Sequence, residues 1–215
     1  MNIFTLGLRI TDAADIDENK VAHVLAESLP SSDRRVVTKV QLSMKEDHYV
    51  GKILKTLEEK QTVLAIGPTK TTPDGVLQMQ PMLVVTKENW DDLLAVNLFV
   101  STGGLGPVTE ETQLGDNTVT NRSLAWQDEK GETSWFKLTA WDTLSSQLAE
   151  LAPGTPTIAV GRVSTSEKED RKYLNYGVEK ILYLPRRKKA APAKAADPDK
   201  GKVSTAALGS LDFSL

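Results

Sequence analysis

Hydrophobic and polar residues alternate most clearly in two stretches of this chain. In Val36–Met44, Val36, Thr38, Val40, Leu42 and Met44 share one face. In Thr133–Trp141, Phe136, Leu138 and Ala140 face one way and Trp135, Lys137, Thr139 and Trp141 the other. Such a period of two predicts half-buried β-strands. Asn2–Ile10 is apolar and β-rich and predicts a strand. Ala13–Leu29 places Ile16, Val21, Val24, Leu25 and Leu29 at helix-like spacing, so a helix is expected there, ended by Pro30. Tyr49–Leu57 fits a strand or a helix, and Thr62–Gly67 a strand. Pro73-Asp74-Gly75 marks a turn. Val76–Thr86 predicts a strand interrupted by Pro81, and Glu88–Asp92, with Trp90, a connector.

A second set begins at Asn97. Asn97–Thr102 predicts a strand, broken by Gly103-Gly104-Leu105-Gly106-Pro107. Thr118–Trp126 predicts a second strand, Gln127–Glu132 a polar turn, and Thr133–Trp141 a third strand. Thr143–Leu151 carries Leu144, Leu148 and Leu151 on one helical face, and Pro153-Gly154 stops it. Thr157–Val163 and Leu174–Leu184 complete the set across a charged loop, Ser166–Lys172. Five short strands with a helix between the third and fourth outline an OB-fold barrel; a β-sandwich fragment is the plainer alternative.

The two sets echo each other. Asn2-Ile3-Phe4 resembles Asn97-Leu98-Phe99, and Val63–Gly67 resembles Thr157–Gly161. Val37–Leu42 resembles Val119–Leu124. The order is kept while the loops differ, which predicts two tandem barrels. The first has a longer opening connection and little room for a helix between strands three and four.

Composition changes this picture little. A chain of 215 residues with 40% hydrophobic content can build one large or two small cores. The net charge of -3 gives no hint of a polyanion partner, so charge placement matters more than its sum. The absence of cysteine excludes disulfides and thiolate chemistry. The start, MNIFTLGLRITD, lacks the pattern of a signal peptide, and no apolar run reaches the ~18 residues of a membrane span. A soluble intracellular protein is expected.

Candidate chemistry concentrates on Thr133–Trp141. Aromatic faces stack exposed bases at ~1–3 kcal/mol each, and cations follow a phosphate backbone. Trp135, Lys137 and Trp141 offer both on one strand face. For either tryptophan alone, packing under a loop is the plainer reading; the pair with Lys137 favours binding. Trp126 extends the platform or covers the hairpin, and Arg122 points the same way as Trp126. Arg162 lies in the fourth strand. Lys168, Arg171, Lys172 and Tyr173 lie in the charged loop, which is either solvated or folded over a bound strand.

The residues Leu105-Gly106, Ser123-Leu124-Ala125, Thr133–Trp141, Val160-Gly161-Arg162-Val163 and Asp170-Arg171-Lys172-Tyr173, in this order, resemble the bacterial single-stranded DNA-binding proteins. The resemblance covers Asn97 to Leu184. It implies an OB fold, single-stranded DNA as ligand, and base-stacking roles for Trp135, Trp141 and, roughly, Trp126. It also implies an assembly of four barrels, hence a homodimer of two-barrel chains, acting in replication, recombination and repair in the cytoplasm, associated with the nucleoid. Arg122 departs from the family, which usually has an apolar residue there, and the loop before the fifth strand lacks the family's tryptophan. His48-Tyr49 stands in the first set where Trp135-Phe136 stands in the second.

Past Leu184, Pro185-Arg186-Arg187-Lys188-Lys189 and an Ala/Pro/Lys stretch predict a disordered basic linker, which adds phosphate contacts or simply solubilises. The tip, Asp212, Phe213 and Leu215, is similar in kind to the family's partner-recruiting peptide; a frayed end is the plainer reading.

No phosphate-cradling glycine loop occurs, since Gly103-Gly104-Leu105-Gly106 is not followed by Lys-Ser/Thr. His23, expected on a helix face, and His48 have no partners at metal-ligand spacing. No enzyme, cofactor or metal is therefore expected. The expected architecture is all-β with short helices: two tandem five-stranded OB barrels, over 1–88 and 96–185, and a disordered tail, 186–215. The competing functions are a single-stranded RNA binder and a protein-interaction adaptor.

Overall fold

The computed structural model describes residues 2–28, 37–72, 74–86, 96–127, 131–168 and 171–183. The second barrel contains β8 (Asn97–Leu114), β9 (Asn117–Gln127), β10 (Thr133–Trp141), α2 (Asp142–Glu150), β11 (Pro156–Lys168) and β12 (Arg171–Tyr183). Its strands close into a ring in the order β8-β9-β10-β12-β11, with β11 returning to β8. β10 and β12 run parallel and every other pair is antiparallel. This is the five-stranded OB barrel.

The glycine-rich run of β8 bends the strand without ending it. A Cβ on Gly103 would lie 2.0 Å from the Ala125 carbonyl oxygen, so only glycine lets β8 curl this closely over β9. The β8–β9 register then shifts between Leu105 and Val108, as a bulge does at a barrel corner. Gly161 plays the same part in β11, where a Cβ would lie 1.9 Å from the Gly177 carbonyl oxygen beside another register shift.

The first barrel is built from β1 (Asn2–Ile16), β2 (Val21–Ser28), β3 (Thr38–Lys45), α1 (Tyr49–Leu54), β4 (Thr62–Gly67), β5 (Thr69–Thr71), β6 (Leu77–Met79) and β7 (Leu83–Thr86). Its fifth strand is broken in two: β6 pairs parallel with β3, β7 pairs antiparallel with β4, and Pro81 stands between them. The proline has no N–H to give a ladder, so the break follows.

Several expectations are corrected. The helix over Ala13–Leu29 does not form; its described part is the end of β1, a turn and β2. The Asp17 carboxylate accepts from the N–H groups of Asn19 and Val21, and Lys20 takes a φ of 58°, closing a tight turn. Ala22, Val24 and Ala26 then face the core with period two, a pattern that the apolar Val21 and Leu25 on the other face disguised as helical. A helix does stand between the third and fourth strands of the first barrel. His48 caps it, its Nδ1 accepting from the Val50 N–H. His48 therefore matches Trp141, which caps α2, and not Trp135. Val37–Leu42 enters a third strand and Val119–Leu124 belongs to a second, so that echo joined unrelated strands.

The other two echoes hold in register. Phe4 pairs with Gly67 and Phe99 with Gly161. The barrels join through these same strands: β1 pairs antiparallel with β8, with Phe4 opposite Phe99. Because Phe4 and Phe99 are equivalent, this pair marks a local two-fold axis. Their rings stack at 5.7 Å, and Tyr176 packs edge-on against Phe4, Phe99 and Phe136 at 6.0, 5.7 and 5.3 Å. The core is thus continuous across the join.

Candidate nucleic-acid interface

β10 carries the candidate site because its two faces differ: one is buried and the other exposed. Phe136, Leu138 and Ala140 are buried inside the barrel. Trp135 and Trp141 lie outside, 62% and 46% exposed, with Lys137 and Thr139 between them. Opposite them, β9 presents Ala125 to Trp135, Ser123 to Lys137 and Asn121 to Thr139. Ala125 leaves the Trp135 indole uncovered, while Trp141, opposite the buried Val119, is the less exposed of the two.

The platform continues across the sheet. Thr139 pairs with Gly177 of β12, and Gly177 pairs with Arg162 of β11. Gly177 has no side chain, so the surface stays flat between the tryptophan strand and Arg162. Arg162 is exposed and its Nε lies 2.7 Å from Glu179 Oε1. Lys137 Nζ lies 3.7 Å from Glu110 Oε2, which also accepts from Asn121 Nδ2 at 3.0 Å. Each of these two cations thus holds a solvent-exposed carboxylate, a weak pairing that a phosphate can displace.

Arg122 is not on this surface. It is fully buried, and its guanidinium donates to the carbonyls of Gly106, Leu148 and Leu151. Arg122 indeed shares the parity of Trp126, but on β9 that parity faces inward, where Leu124 lies. Its place as a phosphate contact is therefore corrected. Two of its acceptors are carbonyls at the end of α2, which has no basic residue in its last turn. Burial draws the Arg122 pKa down from its ordinary value, and three carbonyl partners solvate the charge that remains.

Trp126, opposite Ser134 of β10, is half-buried and packed against the core. It borders two grooves. One, of about 840 Å³, runs along the second barrel past Trp135, Ile158, Leu182 and Tyr183. The other, of about 960 Å³, lies between the barrels and is lined by Asn2, Thr69 and Gln78 of the first. The sequence reading missed Ile158, Leu182 and Tyr183, which are 37%, 59% and 52% exposed. The one signal for them was the outward parity of the last two strands.

The charged loop is a hairpin. β11 runs to Lys168 and β12 starts at Arg171, with Glu167 opposite Lys172. Cross-strand charge pairs suit a ladder. Lys172 and Tyr173 are exposed on its arm, and the arm leans on the first barrel. There Thr165 Oγ1 donates to Thr38 Oγ1 at 3.0 Å, and Thr71 Oγ1 lies 2.6 Å from the Tyr176 hydroxyl. The expected loop is thus a β-hairpin arm whose base is bonded to the first barrel. Asp212, Phe213 and Leu215 lie outside the described residues.

On the first barrel, the matching outer face of β3 carries Lys39, Gln41, Ser43 and Lys45, with no aromatic ring. His23 lies beside it on β2, its Nδ1 2.9 Å from Ser43 Oγ and its Nε2 3.3 Å from Asp17. The N–H of Val21, followed by His23 and the Asn19 N–H, holds the Asp17 carboxyl below its ordinary value against the opposing effect of burial. Among the described residues no cluster of three or more metal-ligating side chains occurs, and no helix is long and apolar enough to cross a membrane.

No protein-family profile and no curated protein matches the sequence. Solved structures do. The single-stranded DNA-binding protein of Thermus aquaticus superposes with a TM-score of 0.66 at 15% identity, covering 89% of this chain and 96% of that one. A deletion mutant of the same protein gives 0.67 at 16% identity, covering 90% and 98%. At such identity the likeness speaks for the fold. The chain has the paired OB-barrel architecture of the Thermus aquaticus single-stranded DNA-binding protein.

Proposed function

We propose that this protein binds single-stranded DNA without sequence preference. Bases stack on Trp135 and Trp141, and Lys137 and Arg162 exchange their carboxylates for phosphates. The observation that carries this reading is the pair of exposed tryptophans on the outer face of β10, with Ala125 of β9 opposite Trp135 and Val119 opposite Trp141. A fold shared with a protein that binds single-stranded DNA supports it. Coating exposed strands would serve replication, recombination and repair in the cytoplasm, at the nucleoid. Lys172, Tyr173 and Arg171 would extend the contact along the braced arm. The tip, Asp212, Phe213 and Leu215, would recruit partner proteins, and two chains would assemble as a homodimer of four barrels.

The test is a titration of oligo-dT and oligo-U against tryptophan fluorescence at two salt concentrations. Strong quenching by oligo-dT that weakens with salt is expected. Trp135→Ala and Trp141→Ala should each weaken binding by roughly 1–3 kcal/mol while the fold survives. Tighter binding of oligo-U would point to RNA. No quenching with either would overturn the reading and favour a protein partner on the apolar groove beside Ile158, Leu182 and Tyr183.

A further inference from the structure

Where β11 begins and β12 ends, one row of the second barrel's ladder carries two aromatic rings with little between them. Tyr183 of β12 stands opposite Thr157 of β11, and Thr157 stands opposite Gly103 of β8. On the next strand Gly104 pairs with Ala125, so Gly103 stands beside Trp126 of β9. Residues opposite one another across a ladder share a face. The row therefore reads ring, short hydroxyl, no side chain, ring. The hydroxyl is turned away into the backbone: Thr157 is buried, and its Oγ1 donates to the Thr155 carbonyl at 3.1 Å.

These four residues line the groove of about 840 Å³, and Trp135 lines it too. Tyr183 and Trp135 are both more than half exposed, so their rings are open to a ligand. Among the described residues no charged side chain lines this groove. A phosphate has nothing to hold it there, whereas a flat, uncharged ring finds aromatic faces to lie on. Trp135 also belongs to the outer face of β10, so the groove opens onto the tryptophan platform. A strand with one base on Trp135 has the groove within reach of its neighbouring base.

We propose that this groove is a further base-stacking subsite, where a nucleobase of the same strand lies on the ring of Tyr183 with Trp126 as the facing wall. The subsite rests on the single-strand reading above and deepens it. The strand leaves the platform at Trp135, passes Gly103, and lays a further base against Tyr183. The contact is stacking alone, and the phosphates stay outside the groove.

Tyr183→Ala in the full chain is titrated with oligo-dT of increasing length. The shortest oligonucleotides that bind, which fill the platform alone, should bind it as they bind the parent chain. Longer ones should bind roughly tenfold more weakly, the effect of one lost stacked base. The salt dependence should stay the same, because no phosphate contact is lost. Tyr183→Phe keeps the ring and should bind every length like the parent. Trp135→Ala is measured alongside. If Trp135→Ala weakens binding and Tyr183→Ala weakens it at no length, the subsite is overturned and the single-strand reading stands. If neither weakens it, both fall. Equal loss at every length, loss in Tyr183→Phe, or a halved mass of Tyr183→Ala in light scattering would also overturn the subsite. Tyr183 would then serve the fold, a hydroxyl contact or a contact between copies of the chain.

Discussion

Arg122 shows how far a single residue can be read from its position. Its inward parity on β9 was legible in the alternation of Thr120, Arg122 and Leu124, all of which are buried. What that parity meant for a cation was not legible, because the acceptors lie 16, 26 and 29 residues away, at Gly106, Leu148 and Leu151. The departure from the family's apolar residue was the usable clue: an apolar place holds a residue that the barrel buries. Arg122→Met should destabilise the protein by roughly 2–4 kcal/mol, since it strips several buried carbonyls of their donor. Urea denaturation measures that loss. The salt dependence of oligonucleotide binding should be unchanged, whereas a phosphate contact at Arg122 would lower the slope. Trp135 and Trp141 are the opposite case, since their outward placement follows from the period of two on their own strand alone.

Elements were legible where alternation was uninterrupted and obscure where a turn was disguised. β3 and β10 follow their patterns directly. β2 did not, because the turn at Asp17–Lys20 contains no glycine or proline to announce it, and Lys20 supplies the left-handed residue. The arm formed by β11 and β12 was obscured by its charges: Glu167 and Lys172 are exposed to solvent, as in a loop, yet stand opposite each other in a β-ladder. That arm makes the linkage between elements sensitive to alkali. Tyr176 of β12 is buried among Phe4, Phe99 and Phe136 and bonded to Thr71 of β5, and burial, only partly offset by that bond, pushes its pKa up to about 12. In the unfolded chain the phenol titrates near its ordinary value of about 10. Its contribution is therefore complete below pH ~10 and is lost as pH rises through ~12, about 2–3 kcal/mol in all. Tyr176→Phe should lack that alkaline loss. Stability compared between neutral pH and pH ~11–12 measures it; an equal decline in both proteins would contradict the assignment.

For the whole molecule, the doubling of the barrel was legible from the Asn-x-Phe and Gly echoes, which mark equivalent pairings of first and fourth strands. The way the barrels meet was not, because the local two-fold at Phe4 and Phe99 exists only after β1 and β8 pair. The groove with Asn2, Thr69 and Trp126 is likewise a product of that meeting and has no contiguous signature. If four barrels are the working assembly, light scattering should give twice the 23.5 kDa chain mass. A stable monomer at working concentrations would contradict the homodimer.

The β1–β8 ladder has a further consequence for how a ligand spans the chain. Two modules on a flexible tether meet a shared ligand at an effective concentration set by the tether, roughly millimolar for a short one. Here five residue pairs, from Asn2 opposite Ser101 to Leu6 opposite Asn97, set the spacing directly. Neither barrel would have to search for a ligand that the other held. A strand that bound both would meet them at one fixed stride, and tether length would drop out of the affinity.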